Sequence, residues 1–259
     1  MIGKLGCLPP KRDYRMLRFA RYLVPGKAKP PPKSVVWSKA ANENWHAYRN
    51  LEFGCCVFAS MAHAVQAWSA NASREHEMTD DDVISAYSTV TGFDPRTGAN
   101  DNGTVVVDGL NYWRQQGVGG NKLGAYVAVT PSAIREVQEA MHLFGGVYLG
   151  VALPQAAQDQ KVWSTPPRRF VNRFVPAWEP NSWGGHAIYA VDYDQKFVTV
   201  VTWGELKKMT WEFFVAYVQE AYALLSPSWF NAKRKAPNGF AVEELARDLA
   251  VLGRLRAPY

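Results

Sequence analysis

The chain has 259 residues, of which 47% are hydrophobic, so it can bury a full core and lacks the composition of a disordered protein. No stretch reaches the roughly 18 uninterrupted apolar residues that would span a bilayer, and the first residues lack the apolar segment of a secretory signal. Three cysteines are too few for a disulfide framework, so we expect a reducing, cytoplasmic location.

Positive charge is concentrated at the N-terminus. Nine of the 29 Lys and Arg residues lie in residues 1–34, against one acidic residue. An amphipathic segment at 13–23 is followed by a proline-rich stretch at 24–34, which favours an extended linker. We interpret 1–34 as a basic arm and linker. Because no basic groove with interleaved aromatic residues accompanies it, we do not expect it to bind nucleic acid.

The next part of the chain predicts helices. The segment 58–68 has apolar residues at helical spacing, so a buried helix should begin near Cys56. Thr79, with Asp82 three residues later, is close to a capping box and opens a second helix. The polar, glycine-containing segment 94–103 indicates a plain loop.

Two further helices complete this helical half. Residues 105–118 predict a third helix that stops at Gly117, and Ser132 is expected to cap a fourth helix that ends at Gly145. Four amphipathic segments in succession predict a helical lobe.

The second half of the chain changes to β-rich patterns. Residues 146–153, 186–193 and 196–203 predict strands. A long loop at 154–184 contains several tryptophans and prolines, and loops of this length in compact domains are often functional. The apolar run 210–225 predicts a helix after the sheet.

The predicted elements define an α+β protein. A body at 35–230 has a helical lobe followed by an antiparallel β lobe, with a cleft between them. Residues 231–259 are interpreted as a linker and a C-terminal amphipathic helix over 242–255.

Cys56 and His186 are the candidates for nucleophile and base. A thiol at the start of a buried helix lies at the positive end of the helix dipole, which favours the thiolate. A nearby imidazole would lower the pKa of the thiol further and carry its proton. His186 lies on a predicted strand directly after Gly184 and Gly185, which leave space around it.

These residues occur in a pattern that resembles the papain-like cysteine peptidases. Residues 32–60 look like the start of a mature family member, in which a glutamine and a Gly-Ser-Cys-Trp motif precede a helix. The family places its histidine roughly 130–150 residues later, before alanine and an apolar strand, as in His186-Ala187-Ile188. The resemblance covers about residues 32–225. The matching positions at its start are Pro32, Val35, Trp37, Asn50, Gly54 and Cys56.

The resemblance implies roles for further residues. The Gly-x-Cys motif makes Cys56, rather than Cys55, the nucleophile and leaves space for substrate at Gly54. Asn50 stands where the family has the glutamine that donates to the oxyanion. Asn102 and Gly103 resemble the strip that pairs with the substrate backbone, and Gly185 borders the same cleft.

The sequence departs from the family where His186 should be oriented. Val201 stands at the position of the family's asparagine and cannot hydrogen-bond an imidazole, and Val57 replaces the tryptophan after the nucleophile. Thr202 is one substitute, and a backbone carbonyl or water beneath Trp203 is the other. Because side chains alternate along a strand, we expect Thr202 to face away when Trp203 caps the cleft.

The function implied by the resemblance is cysteine-dependent hydrolysis of a peptide or amide/acyl substrate through a thioester. The first alternative is an acyl- or peptidyl-transferase, or amide-forming enzyme, on the same fold. The second is a non-catalytic binding protein, which the departure at Val201 favours. The expected partner is a peptide, amide or carrier-bound acyl substrate, with no metal or cofactor. The sequence leaves the oligomeric state open.

Overall fold

The computed structural model describes residues 3–11, 13, 15–27, 29–41, 44–167, 174–227, 229 and 240–255. Most of the predicted linker at 231–239, the last residues 256–259 and part of the predicted long loop, 168–173, lie outside these ranges. Among the described residues, no helix is both long enough and apolar enough to cross a membrane.

Six α-helices are present among the described residues. They are α1 (Cys56–Asn71), α2 (Asp80–Thr91), α3 (Val106–Gln115), α4 (Ile134–Phe144), α5 (Trp211–Tyr217) and α6 (Val242–Leu255). The capping box of Thr79 and Asp82 is formed at the start of α2, as predicted. The prediction that Ser132 caps α4 is wrong, because Ala133 occupies that position without a side-chain cap.

Eight strands form one sheet. They are β1 (Val35–Val36), β2 (Ala125–Val129), β3 (Val147–Leu153), β4 (Val162–Trp163), β5 (Gly184–Tyr193), β6 (Phe197–Thr202), β7 (Glu205–Thr210) and β8 (Val218–Leu225). The order is β2-β8-β3-β5-β6-β7-β4, with β1 beside β5. The only parallel pair among these strands is β4–β7, so the β lobe is antiparallel in nearly all its pairings.

The prediction of one helix over 210–225 is wrong, because this run forms the short helix α5 and then strand β8. Strand β8 lies between β2 and β3, so nearly all of its side chains are buried. A strand buried on both faces has a continuous apolar sequence, which periodicity does not distinguish from a buried helix.

The core is divided between the two faces of the sheet. Helices α1, α2 and α3 pack against one face, through residues such as Tyr148, Tyr189 and Tyr222. Helices α4 and α5 pack against the other face, together with Leu245 of α6. These helices and strands confirm the predicted α+β class, with the cleft where α1 meets β5.

The N-terminal arm is packed into the fold. Phe19 and Tyr22 are completely buried in the core of the β lobe. The Tyr22 hydroxyl donates to Asp248 of α6 at 2.6 Å, and the Tyr22 carbonyl accepts from the Ala241 N–H at 2.9 Å. The second half of the arm is therefore anchored to the body and to the C-terminal helix.

Candidate active site

Cys56 is the first residue of α1 and faces strand β5. Its Sγ accepts a hydrogen bond from the Ala187 N–H at 3.4 Å. One turn later in α1, the Ser60 hydroxyl donates to the Ala187 carbonyl at 2.8 Å. These two contacts join the start of α1 to the residue directly after His186. The thiol of Cys55 instead hydrogen-bonds to the Tyr48 carbonyl at 3.4 Å.

His186 lies in a buried pocket in which one ring nitrogen has a partner. Its Nε2 is 2.7 Å from Thr202 Oγ1, and its ring stacks on Trp203 at a centroid distance of 4.4 Å. Its Nδ1 is buried and has no hydrogen-bond partner among the described residues. In the tautomer with the proton on Nε2, Thr202 accepts that hydrogen bond and Nδ1 is free to accept a proton.

The contact with His186 overturns the expectation that Thr202 faces away. Trp203 and Gly204 have φ values of +50° and +82° and form the two-residue connection between β6 and β7. Both residues therefore lie in the turn, where the alternation of strand side chains does not apply. Trp203 covers the His186 ring from the turn, while Thr202 at the strand end reaches Nε2.

The cleft beside Cys56 is occupied by the beginning of the chain itself, residues 3–8, which we call the cleft segment. The Lys4 N–H donates to the Asn50 carbonyl at 2.9 Å, and the Leu8 N–H donates to the Thr104 carbonyl at 3.0 Å. The N–H groups of Gly6 and Cys7 both donate to the Gly185 carbonyl, at 3.3 and 3.0 Å. The Thr104 N–H donates to the Gly6 carbonyl at 2.8 Å. The segment thus pairs through its backbone with both walls of the cleft, as an extended peptide does when it adds to a strand edge.

Asn50 is buried and directs its amide into the cleft. Its Nδ2 donates to the Lys4 carbonyl at 3.1 Å and to the Phe53 carbonyl at 2.9 Å. The Trp203 Nε1 donates to the same Lys4 carbonyl at 3.3 Å. The residue predicted as an oxyanion donor is therefore in contact with a peptide carbonyl in this structure.

The glycines predicted to border the cleft allow the backbones to come close. A Cβ added at Gly103, which has a φ of +77°, would lie 2.3 Å from the Gly6 carbonyl oxygen. A Cβ at Gly185 would lie 2.0 Å from the Cys7 carbonyl oxygen. A Cβ at Gly6 would lie 2.0 Å from the Gly54 carbonyl oxygen. Side chains at these positions would prevent the backbone contacts.

The backbone pairing predicted for Asn102 is made by a neighbour. Asn102 donates its N–H to Asn100 within its own loop at 2.8 Å, whereas Thr104 exchanges hydrogen bonds with the cleft segment. Thr104, which pairs with the cleft segment, lies one and two residues after the positions that we expected to pair with the substrate backbone.

Asp101 connects several parts of the cleft. The sequence analysis placed it in a plain loop and gave it no role in the site. Its Oδ1 accepts from the Gly54 N–H at 2.9 Å and from the Tyr87 hydroxyl at 2.7 Å, and its Oδ2 pairs with Lys4. Burial acts to raise the pKa of Asp101, but hydrogen bonds from Lys4, Tyr87 and Gly54 outweigh it and lower that pKa. No local pattern reveals this role, because the partners are distant in sequence.

The cleft segment keeps the candidate catalytic pair out of water. Burial raises the pKa of Cys56 to about 12, although N–H groups of Ala187 and Gly6 act in the opposite direction. Burial also lowers the pKa of His186 to about 3. With the segment in place, both groups are neutral near pH 7.

The described residues contain no group of three or more His, Cys, Asp or Glu side chains that could hold a metal ion. The polar groups that line this site are the thiol of Cys56, the imidazole of His186, the amide of Asn50 and the surrounding backbone.

The fold is similar to that of solved papain-like cysteine proteases. No family model and no curated protein matches the chain. Xylellain, a cysteine protease from Xylella fastidiosa, is 12% identical with a TM-score of 0.63, over 86% of this chain and 96% of that one. A digestive procathepsin L from Tenebrio molitor is 12% identical with a TM-score of 0.57, over 83% and 75%. The chain has the papain-like fold.

Proposed function

We propose that this chain is a papain-like cysteine hydrolase that cleaves a peptide or amide/acyl substrate through a thioester on Cys56. The observation that carries this proposal is the cleft segment, an extended peptide that lies across Cys56 and hydrogen-bonds to both walls. A cleft that binds one peptide backbone in this way has the donors and acceptors to bind another.

In the proposed acylation, His186 Nδ1 accepts the proton of the Cys56 thiol, and the sulfur attacks the substrate carbonyl carbon. The Asn50 amide and the Cys56 N–H stabilise the negative charge that develops on the carbonyl oxygen. When the C–N bond breaks, His186 returns its proton to the leaving amine, and a thioester remains. Water then attacks the thioester, with His186 again accepting a proton, and releases the acid and the free thiol.

Thr202 is a positioning residue in this mechanism. Its Oγ1 lies 2.7 Å from Nε2, so it can stabilise the tautomer that leaves Nδ1 free as well as the imidazolium that follows. A hydroxyl thus supplies the acceptor that Val201 lacks, and this favours a catalytic protein over a non-catalytic binding protein.

The structure represents a closed state of the proposed enzyme. Cys56 and His186 are each only 1% exposed. A substrate has to displace the cleft segment before it reaches the thiol. The proposed activity also requires reduced Cys56, and all three cysteines are free thiols, which supports a reducing location such as the cytoplasm.

The test uses the full chain carrying Gly6→Val, because a side chain at Gly6 would collide with the Gly54 carbonyl and keep the cleft segment out. We expect this variant to cleave members of a fluorogenic peptide library and to incorporate one iodoacetamide at Cys56, identified by mass spectrometry. Adding Cys56→Ser should abolish cleavage, whereas adding Cys55→Ser should preserve it. Cleavage that survives Cys56→Ser would refute the proposed nucleophile.

Product analysis in the presence of an added amine distinguishes a hydrolase from an acyl- or peptidyl-transferase. A hydrolase gives the free acid as its main product, whereas a transferase gives the new amide. Labelling of Cys56 without either product would favour a binding protein.

A further inference from the structure

Residues 44–50, which we call the Asn50 loop, have an unusual backbone conformation. Tyr48 and Arg49, the two residues directly before Asn50, have φ values of +52° and +61°. Neither is glycine, and this left-handed region is sterically unfavourable for any residue with a Cβ. Two such residues in succession persist only where the surrounding structure holds them. The direction of the Asn50 side chain therefore depends on the contacts that hold this loop.

Helix α1 supplies those contacts from its buried side chains. His63 Nε2 donates to the His46 carbonyl at 2.8 Å, and the imidazole packs against the Tyr48 ring at a centroid distance of 5.3 Å. Two other side chains, Cys55 and Gln66, donate to loop carbonyls at the longer distances of 3.4 and 3.3 Å. His63 and Tyr48 are both buried, so water does not compete for the short bond. His63 is therefore the strongest side-chain donor to the loop.

The hydrogen bond to the loop fixes the tautomer of His63. A carbonyl oxygen only accepts, so Nε2 carries the proton. Nδ1 is buried and has no hydrogen-bond partner within the described part of the chain. Burial lowers the pKa of His63 to about 4, although the bond to the His46 carbonyl acts in the opposite direction. His63 is therefore neutral near pH 7 and acts as a single, directed donor.

Cys56, Ser60 and His63 lie on one face of α1. They occupy positions i, i+4 and i+7, which share a face in an α-helix. Cys56 accepts from the Ala187 N–H, and Ser60 donates to the Ala187 carbonyl. His63 extends the same row of contacts to the Asn50 loop. One helix face therefore connects the parts of the chain that carry the candidate nucleophile, base and oxyanion donor.

We propose that His63 is a positioning residue for Asn50, whose loop it holds in the conformation that directs the Asn50 amide into the cleft. This inference rests on the proposed function, because it assumes that Asn50 stabilises the oxyanion. Without the donor on His63, the loop relaxes toward ordinary backbone conformations and the amide moves away from the oxyanion. His63 lies two turns along α1 from Cys56, so it acts through Asn50 rather than on the thiol.

Glutamine and methionine are the matched replacements for His63. The two side chains have nearly the same length and shape, but only glutamine has an N–H donor that can reach the His46 carbonyl. Both residues favour helices, so α1 itself is not weakened. His63→Gln should therefore keep the Asn50 loop in place, and His63→Met should release it. His63→Leu is a second variant without a donor and should behave as His63→Met does.

Kinetics in the full-length Gly6→Val chain test the proposal. We compare kcat and KM for peptide cleavage with the rate at which iodoacetamide alkylates Cys56, a reaction in which no oxyanion forms. His63→Met should lower kcat about tenfold, which is part of the 10²–10³ that one oxyanion donor contributes. KM and the alkylation rate should not change, and His63→Gln should recover most of kcat. A general loss of structure would change all three quantities.

A double-mutant cycle assigns the effect to Asn50. In the Asn50→Ala chain, His63→Met should cause no further loss of kcat, because the amide that it positions is absent. A residue with an independent structural role would instead give losses that add.

Hydrogen exchange provides a measurement without turnover, in the chain that retains Gly6. The Asn50 N–H donates to the Ala47 carbonyl at 2.9 Å, so mass spectrometry of peptides covering 44–53 reports on the loop. His63→Met should accelerate their exchange about fivefold relative to His63→Gln, as for the loss of one ordinary hydrogen bond. Exchange in α2 should be the same in both variants, which shows that both are folded.

Three results would overturn the proposal. They are equal kcat values for His63→Met and His63→Gln, a loss in His63→Met that is as large in the Asn50→Ala chain, and equal exchange of 44–53 in the two variants. Failure of the hydrolase proposal is distinguishable, because the Gly6→Val chain with His63 intact would then cleave no peptide. The exchange experiment would still test whether His63 holds the loop.

Discussion

His186 is held by a hydroxyl and an aromatic ring. Thr202 contacts Nε2, and Trp203 stacks on the imidazole face. A ring fixed on one face and at one nitrogen has little freedom to rotate, so Nδ1 points in a constant direction. Thr202 therefore determines the tautomer of His186, and Trp203 determines the plane of its ring.

Replacing Thr202 with valine removes the acceptor on Nε2 while preserving the shape of the side chain. Because hydrogen bonds to charged groups contribute about 1.5–3 kcal/mol, we expect turnover to fall roughly 10- to 100-fold. The measurement is kcat/KM for a peptide substrate in the Gly6→Val chain, together with the pH profile of Cys56 alkylation.

Thr202→Ser is the matched control, since it retains the hydroxyl and should recover most of the activity. Equal activity of the valine and serine variants would show that Thr202 does not orient His186.

At the scale of elements, the cleft segment is the unit that would have to move for the proposed enzyme to bind a substrate. It is short and extended, and its backbone hydrogen bonds depend on glycines where the chains come closest, at Gly6, Gly103 and Gly185. Since each glycine faces a backbone carbonyl oxygen, a side chain at any of them cannot be accommodated by a change of rotamer.

Gly6→Val should therefore raise the reactivity of Cys56 in the full chain. Burial holds the pKa of Cys56 at about 12 and that of His186 at about 3, so rehydration should lower the first and raise the second. The pH at which alkylation is half-maximal should fall, and the rate at pH 7 should rise about tenfold or more, as expected for a larger thiolate fraction. Iodoacetamide kinetics followed by peptide mass mapping, which separates Cys56 from Cys7, measure both.

Leu8→Val is the control for this prediction, because Leu8 contacts the wall through its backbone and its side chain is 39% exposed. It should label as slowly as the unmodified chain. If Gly6→Val also labelled at the unmodified rate, the cleft segment would not be what protects Cys56.

The sequence predicted those elements whose signals are local. The start of α1 at Cys56 and the capping box of Thr79 follow from residues a few positions apart, and both are confirmed. Strand β8 was misread because its neighbours β2 and β3 make it apolar on both faces. The orientation of Thr202 was misread because the turn at Trp203 ends the alternation of the strand.

The same distinction holds for the candidate site. Cys56 and His186 were predicted as the candidate pair from a helix start, a strand and their spacing. Asp101 and Glu220 were not predicted, because their environments are formed by residues that are distant in sequence. The Gly54 N–H donates to Asp101, and Gly150 leaves space for the Glu220 side chain. The position of the cleft segment was also not predicted. The positive charge of residues 1–34 suggested an arm, and no sequence pattern in residues 3–8 indicates binding in a cleft.

At the scale of the whole molecule, Glu220 makes stability depend on pH. Burial raises the pKa of Glu220 to about 7, above the value near 4.3 for an unperturbed glutamate. The folded state therefore favours the protonated carboxyl, and the stability that this contributes is lost as the pH rises through 7. Glu220→Gln should stabilise the protein by roughly 1–3 kcal/mol at pH 8.5, relative to the unmodified chain, and have little effect at pH 4.

Urea unfolding at the two pH values measures this difference. Asp192, whose pKa burial also raises, contributes equally to both proteins and cancels in the comparison. An effect of Glu220→Gln that was equal at both pH values would show that Glu220 is not desolvated in the folded protein.

The anchoring of Phe19 and Tyr22 has a consequence for how the cleft can be opened. The cleft segment is joined through residues 9–18 to side chains buried in the core, so it cannot diffuse away. A short tether of this kind corresponds to an effective concentration of the order of millimolar. Any substrate in solution competes against that concentration, so the segment can exclude it even when the segment's own dissociation constant is as high as about 0.1 mM. A single cut within residues 9–18 would turn this first-order equilibrium into a second-order one, and dilution alone would then empty the cleft.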